Sequence, residues 1–150
     1  WIWFPASSSL TTSMPFEELE HTADVKMRIC APDFLSLLAE SGNAMSSVLF
    51  GDFEKEPENI VLEIEAEGGD ASELTVNFLS ELLFLTEVEY LVPMSYSLTQ
   101  DGNRVFGTVS GIEFDRAKHA GGICVKGISY SELSLEETSA GLELTIIFDI

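Results

Sequence analysis

The sequence predicts an α+β fold, two helices packed on a mainly antiparallel β-sheet, and three observations lead there. Two stretches carry apolar residues at helical spacing, several others alternate apolar with polar residues, and the order is β-α-β-α followed by a run of strands. The chain has 150 residues, 45% of them hydrophobic, enough for one domain with a buried core. That hydrophobic share also excludes intrinsic disorder, in spite of the heavy charge.

Asp24 to Cys30 opens the folded part as a strand, with Val25, Met27 and Ile29 on one side and Lys26 and Arg28 on the other. Pro32-Asp33 offers a helix start. Phe34, Leu37, Leu38, Met45, Val48 and Leu49 then recur at helical spacing until Gly51 stops the run. Asn59 to Glu67 alternates Ile60, Leu62 and Ile64 with Val61, Glu63 and Glu65, a strand with one acidic face that Gly68-Gly69 breaks. Asp70 or Ser72 caps the second helix, with Glu73 in capping-box register behind Asp70. Its apolar stripe is Leu74, Phe78, Leu82 and Leu85, broadened by Leu79 and Leu83. After Pro93 alternation returns through Met94, Tyr96 and Leu98, and Asp101-Gly102 marks a hairpin into Val105 and Val109. Ile123 to Leu135 and Leu142 to Ile150 complete the strands, joined around Gly141.

Trp1 to Ser13 differs from the rest: it has no charge, a clump of aromatics and then a Ser/Thr stretch. It lacks the basic start and long apolar centre of a secretory signal. Met14 is a natural start, so residues 1–13 are read as a leader of uncertain origin and residues 14–150 as the single domain.

The charge is lopsided, with 26 Asp plus Glu against 7 Lys plus Arg, a formal −19. Such a surface repels phosphate backbones and anionic membranes and favours encounter with basic partners, which argues against direct nucleic-acid binding. No apolar run approaches membrane-spanning length. Cys30 and Cys124 lie far apart without a CxxC spacing; such a pair can form one disulfide, but small buried, reduced thiols are the expected state. No asparagine sits in a glycosylation sequon, and together these features point to a cytoplasmic protein. The oligomeric state is not legible.

General enzyme signatures are absent: there is no phosphate-binding Gly-rich loop ending in Lys-Ser/Thr, no G-x-S-x-G, no H-E-x-x-H and no dinucleotide fingerprint. With only His21 and His119, a histidine-rich metal site cannot be built. The acidic runs Glu63 to Glu67 and Glu87 to Glu89 read as solvated faces. His21 is a general-base candidate beside an aspartate-bearing strand, although fastening a loop is the commoner role. Lys126 falls on a predicted strand, where an exposed edge is the ordinary explanation and a counter-charge to carboxylates the functional one.

Asp149 lies one residue from the carboxylate that ends the sequence at Ile150, and Asp24 starts the first strand. If the first and last strands are neighbours, Asp24, Asp149 and an oxygen of Ile150 converge, and three hard oxygens suit Ca²⁺, Mg²⁺ or Mn²⁺. Spacing alone does not establish that contact, and a solvated terminus is the simpler reading of these residues by themselves.

Four segments together carry a resemblance. Phe16 to Asp24 (FEELEHTAD), Asn77 to Leu85 (NFLSELLFL), Val125 to Tyr130 (VKGISY) and Ile147 to Ile150 (IFDI) resemble, in order and spacing, the archease family, from about Phe16 to the last residue. The resemblance implies an archease-like α+β fold and an accessory factor of the tRNA-splicing RNA ligase, one that promotes guanylylation of the ligase's active-site histidine. It implies metal ligands at Asp24, Asp149 and Ile150, the last through a main-chain or terminal oxygen, with Ca²⁺ the expected ion and Mn²⁺ or Mg²⁺ the alternatives. Lys126 matches the family lysine of its segment. Two positions depart: Lys26 replaces the usual Gly, which predicts reduced metal affinity, and Ser131 replaces a common His. The expected function is therefore a non-catalytic ligase activator. A stand-alone metal-dependent phosphotransfer enzyme and a chaperone-like binding module are the rivals.

Overall fold

The computed structural model describes residues 24–150, so the expectations for residues 1–13 and for His21 lie outside it. The elements run β1 (Asp24–Ala31), α1 (Phe34–Phe50), β2 (Ile60–Glu67), α2 (Ala71–Val88), β3 (Leu91–Asp101), β4 (Arg104–Glu113), α3 (Arg116–His119), β5 (Gly127–Thr138) and β6 (Gly141–Asp149). The strands form two three-stranded sheets, ordered β1-β6-β5 and β2-β4-β3, and every pairing is antiparallel. The α+β class stands, and the antiparallel strands of the described residues divide between two sheets.

Both long helices start where the sequence places them. Asp33 accepts a 2.8 Å hydrogen bond from the Ser36 amide at the head of α1, and Asp70 accepts one of 2.8 Å from the Glu73 amide at the head of α2. The Glu73 carboxylate reaches back to the Gly69 amide, as the capping-box register predicts. Gly51, at φ 69°, ends α1 in a conformation that suits glycine. α1 packs against β1 and β3, and α2 against β2 and β5, so each helix touches both sheets. Leu37, Leu38, Met45, Leu74, Phe78, Leu79 and Leu82 join Val105, Val109, Leu144, Ile146 and Phe148 in one continuous core. Apolar burial is the dominant favourable term here, and truncating a side chain as enclosed as Phe78 costs about 3–5 kcal/mol.

Three local expectations are corrected. The ladder of β5 begins at Gly127, not Ile123, because Gly121 to Ile123 fold against the end of α1. The Ile123 amide donates to Val48 O at 2.8 Å, and a Cβ on Gly122 would collide with the backbone of Val48 and Leu49. α3 is a one-turn helix capped by Asp115, too short to show any periodicity. Cys30 and Cys124 are free but exposed, not buried: Cys30 points outward with Lys26 and Arg28, since β1 turns only alternate residues to the core. Among the described residues, no helix is long and apolar enough to cross a membrane.

Candidate functional site

Strand register decides the site. β1 starts at Asp24, β6 closes at Asp149 and β5 starts at Gly127, so one end of the first sheet gathers all three. Asp24 is the direct partner of Asp149 across one ladder, and Gly127 is the direct partner of Asp149 across the other. Directly opposite residues share a face and hold their Cβ atoms about 4.5–5.5 Å apart. The row on this exposed face therefore reads carboxylate, carboxylate, no side chain. Among the described residues a Cβ on Gly127 would meet nothing within 4 Å, so they leave the space beside Asp149 open.

The next residues anchor the row. Phe148 and Ile128 form the row below, turned to the core, with Val25 paired across from Phe148. Ile150 is half-buried and packs its side chain against that same core. The Lys126 amide donates to the Asp149 carbonyl at 2.7 Å. Lys126 thus precedes β5 instead of lying within it, with its side chain exposed. β5 is an edge strand, so this placement agrees with the ordinary explanation as well as with the functional one.

Among the described residues, no ion pair compensates the charge at this row. The pairs found there are Lys26–Glu132, Arg28–Glu143, Arg104–Glu65 and Lys118–Glu56, and none includes Asp24 or Asp149. Like charges directly opposite on neighbouring strands are destabilising. Among the described residues no three His, Cys, Asp or Glu side chains gather into a metal cluster. The row's side chains thus offer two carboxylates, an all-oxygen donor set that fits a hard divalent cation and not a thiophilic one.

The sequence-predicted residues fall as follows. Asp24 and Asp149 come together, Ile150 follows Asp149 along the chain, and Lys126 adjoins Asp149 through its backbone. His119 is far from this role: it is buried, with Nδ1 accepting from the Asp115 amide at 2.9 Å and its ring edge-on to Phe53. Glu63, Glu65 and Glu67 lie on the outer face of the second sheet. Ser131, at the position of the family histidine, sits in an irregular stretch of β5 between Ser129 and Ser134, its amide bonded to Ser129 Oγ at 2.9 Å. Two residues escaped the sequence reading: Gly127, whose missing side chain opens the row, and Glu132, which takes the Lys26 ammonium at 2.7 Å. The VKGISY segment contained a signal for Gly127; none existed for Glu132.

Comparison with known proteins follows the same span. Residues 16–150 match the archease protein family. The protein archease of Methanopyrus kandleri is 34% identical over 127 residues, covering 82% of this chain and 90% of that protein. The Pyrococcus furiosus protein archease is 32% identical over 133 residues, covering 84% and 91%. The crystal structure of a Thermotoga maritima archease, described as a possible chaperone, superposes with a TM-score of 0.65 at 18% identity, covering 93% of this chain and all of that one.

Proposed function

The chain belongs to the archease family, and on that premise we propose that it is a non-catalytic activator of the tRNA-splicing RNA ligase. It promotes the ligase's guanylylation and turnover, with a divalent ion held on the activator. The observation that carries this reading is the register pairing of Asp24 with Asp149 beside the open space at Gly127. Two exposed carboxylates set face to face are costly alone and useful around a cation.

Asp24, Asp149 and the main-chain oxygen of Ile150 would hold the ion, with Ca²⁺ favoured and Mn²⁺ or Mg²⁺ as alternatives. When bound, the ion supplies a compact positive charge that neutralises the facing carboxylates and attracts phosphate or carboxylate oxygens of a partner. Packing of the Ile150 side chain on the core would hold its own oxygen beside Asp149. Lys126 presents a second cation at the same sheet end. The −19 surface favours encounter with a basic ligase and disfavours direct contact with RNA, in a cytoplasmic setting.

A second reading, a chaperone-like binding module with a structural ion, is favoured by the description of the Thermotoga maritima archease as a possible chaperone. The test is RNA joining with purified protein, GTP and Mn²⁺, with and without the ligase. Multiple turnover only when both proteins are present, lost in folded Asp24→Ala and Asp149→Ala variants, supports the activator. Product without ligase indicates an enzyme. Protection of unrelated unfolded clients, with ligase turnover unchanged, indicates the chaperone-like module.

A further inference from the structure

The outward face of β1 presents Asp24, Lys26 and Arg28 in line. Residues two apart on a strand are separated by about 7 Å, and a lysine arm is flexible enough to cross that gap. Lys26 stands opposite Ile147, so Asp149 is its diagonal neighbour across the ladder, within reach of a long side chain. Left to itself, the Lys26 ammonium would settle between the two carboxylates as an internal counter-ion. It does not. It reaches across β6 to the Glu132 carboxylate at 2.7 Å.

Glu132 is placed there by a break in the β5 ladder. Ser129 pairs with Ile147 and Ser134 with Thr145, so Tyr130 to Leu133 all lie opposite the single residue Ile146. Glu132 itself takes φ 60°, a conformation non-glycine residues seldom adopt. The next cation on the same face is drawn off as well: Arg28 pairs with Glu143, which stands opposite Cys30, at the far end from Asp24. Both outward cations of β1 are thus turned away from the aspartates.

We infer that Glu132 is a positioning residue for the candidate metal site, holding the Lys26 ammonium off Asp24 and Asp149 so that both carboxylates stay available to a divalent ion. The inference rests on the metal-bearing reading above and deepens it. It also explains how this chain accommodates a lysine where its family usually has glycine. Because the Lys26–Glu132 pair is exposed, its release weakens ion binding by a factor, not by orders of magnitude.

Calorimetric titration of Ca²⁺ at low ionic strength into wild type, Glu132→Gln, Lys26→Met and the double variant tests this. Glu132→Gln should raise the Ca²⁺ Kd about two- to five-fold, the range expected for an exposed pair. In the Lys26→Met background the same change should have no effect, because the competing cation is gone. Equal weakening in both backgrounds would mean that Glu132 acts by its charge alone and overturns the inference. Wild-type binding left unchanged by Glu132→Gln overturns it too, with the metal reading intact. A wild type that binds neither Ca²⁺ nor Mn²⁺ removes the metal reading and the inference with it.

Discussion

Asp24 on β1 and Asp149 on β6 are direct cross-strand partners, on the outward face at the end of their sheet. They stand near opposite ends of the described residues, 24–150, so only the ladder brings them together. In the absence of an ion their like charges oppose each other, by a few tenths to about 1 kcal/mol at such a position. Asp149→Asn, with metal chelated, should therefore match or exceed wild-type stability in urea denaturation at low salt. Added Ca²⁺ should reverse the order, because ligand binding to the native state stabilises by about 2.7 kcal/mol at a hundred times Kd. Stability of both proteins unmoved by Ca²⁺ would remove the site.

The Tyr96 hydroxyl is buried without a hydrogen-bond partner among the described residues, and a Cβ on Gly42 of α1 would collide with it. Tyr96→Phe should thus be neutral or stabilising by up to roughly 1–2 kcal/mol, since it removes an unpaired polar atom. Gly42→Ala should destabilise by roughly 1–3 kcal/mol through overpacking, and by less in the Tyr96→Phe background. A double-mutant cycle in urea gives the coupling.

Burial first, and then the charge of Glu40, push the Tyr96 phenol above its ordinary range. The unfolded chain releases that proton near pH 10 while the native protein retains it, so the stability contribution is whole below pH 10 and declines as pH rises past it. Wild-type stability should fall above pH 10 more steeply than that of Tyr96→Phe, by up to about 1.4 kcal/mol per pH unit. Parallel alkaline titrations would contradict this.

At the head of α1 the opposite sign applies. Hydrogen bonds from Ser36, first from its amide, hold the Asp33 carboxyl below the usual carboxylate range. The stability this provides is present above the unfolded value near pH 3.9 and is lost as pH falls through the lower native value. Asp33→Ser, which keeps a capping oxygen without the charge, should show a shallower acid decline in melting temperature than wild type.

The exposed thiols of Cys30 and Cys124 should both react with a water-soluble disulfide reagent in the native protein, without denaturant. Slow reaction at either, accelerated only by unfolding, would contradict the exposure described.

The sequence by itself determined the local elements, because their causes are local. Asp33 and Asp70 cap helices through amides three residues on, Gly51 ends α1, and Asp101-Gly102 turns β3 into β4. Asp24, Asp149 and Ile150 were singled out by the family resemblance of the segments that carry them, since by themselves these residues read more simply as a solvated terminus. The tertiary structure decided what depends on pairing between distant strands. Strand order divides the six strands into two sheets, and β5 starts at Gly127 because the preceding residues pack on α1. Register sets Asp24, Asp149 and Gly127 in one row, and a one-residue slip would have turned one aspartate to the other face. The partner of Lys26 was the least legible of all. Residues 130–133 bulge out of a ladder that alternation would have continued, and nothing in the local pattern announces that Glu132 meets a lysine across an intervening strand.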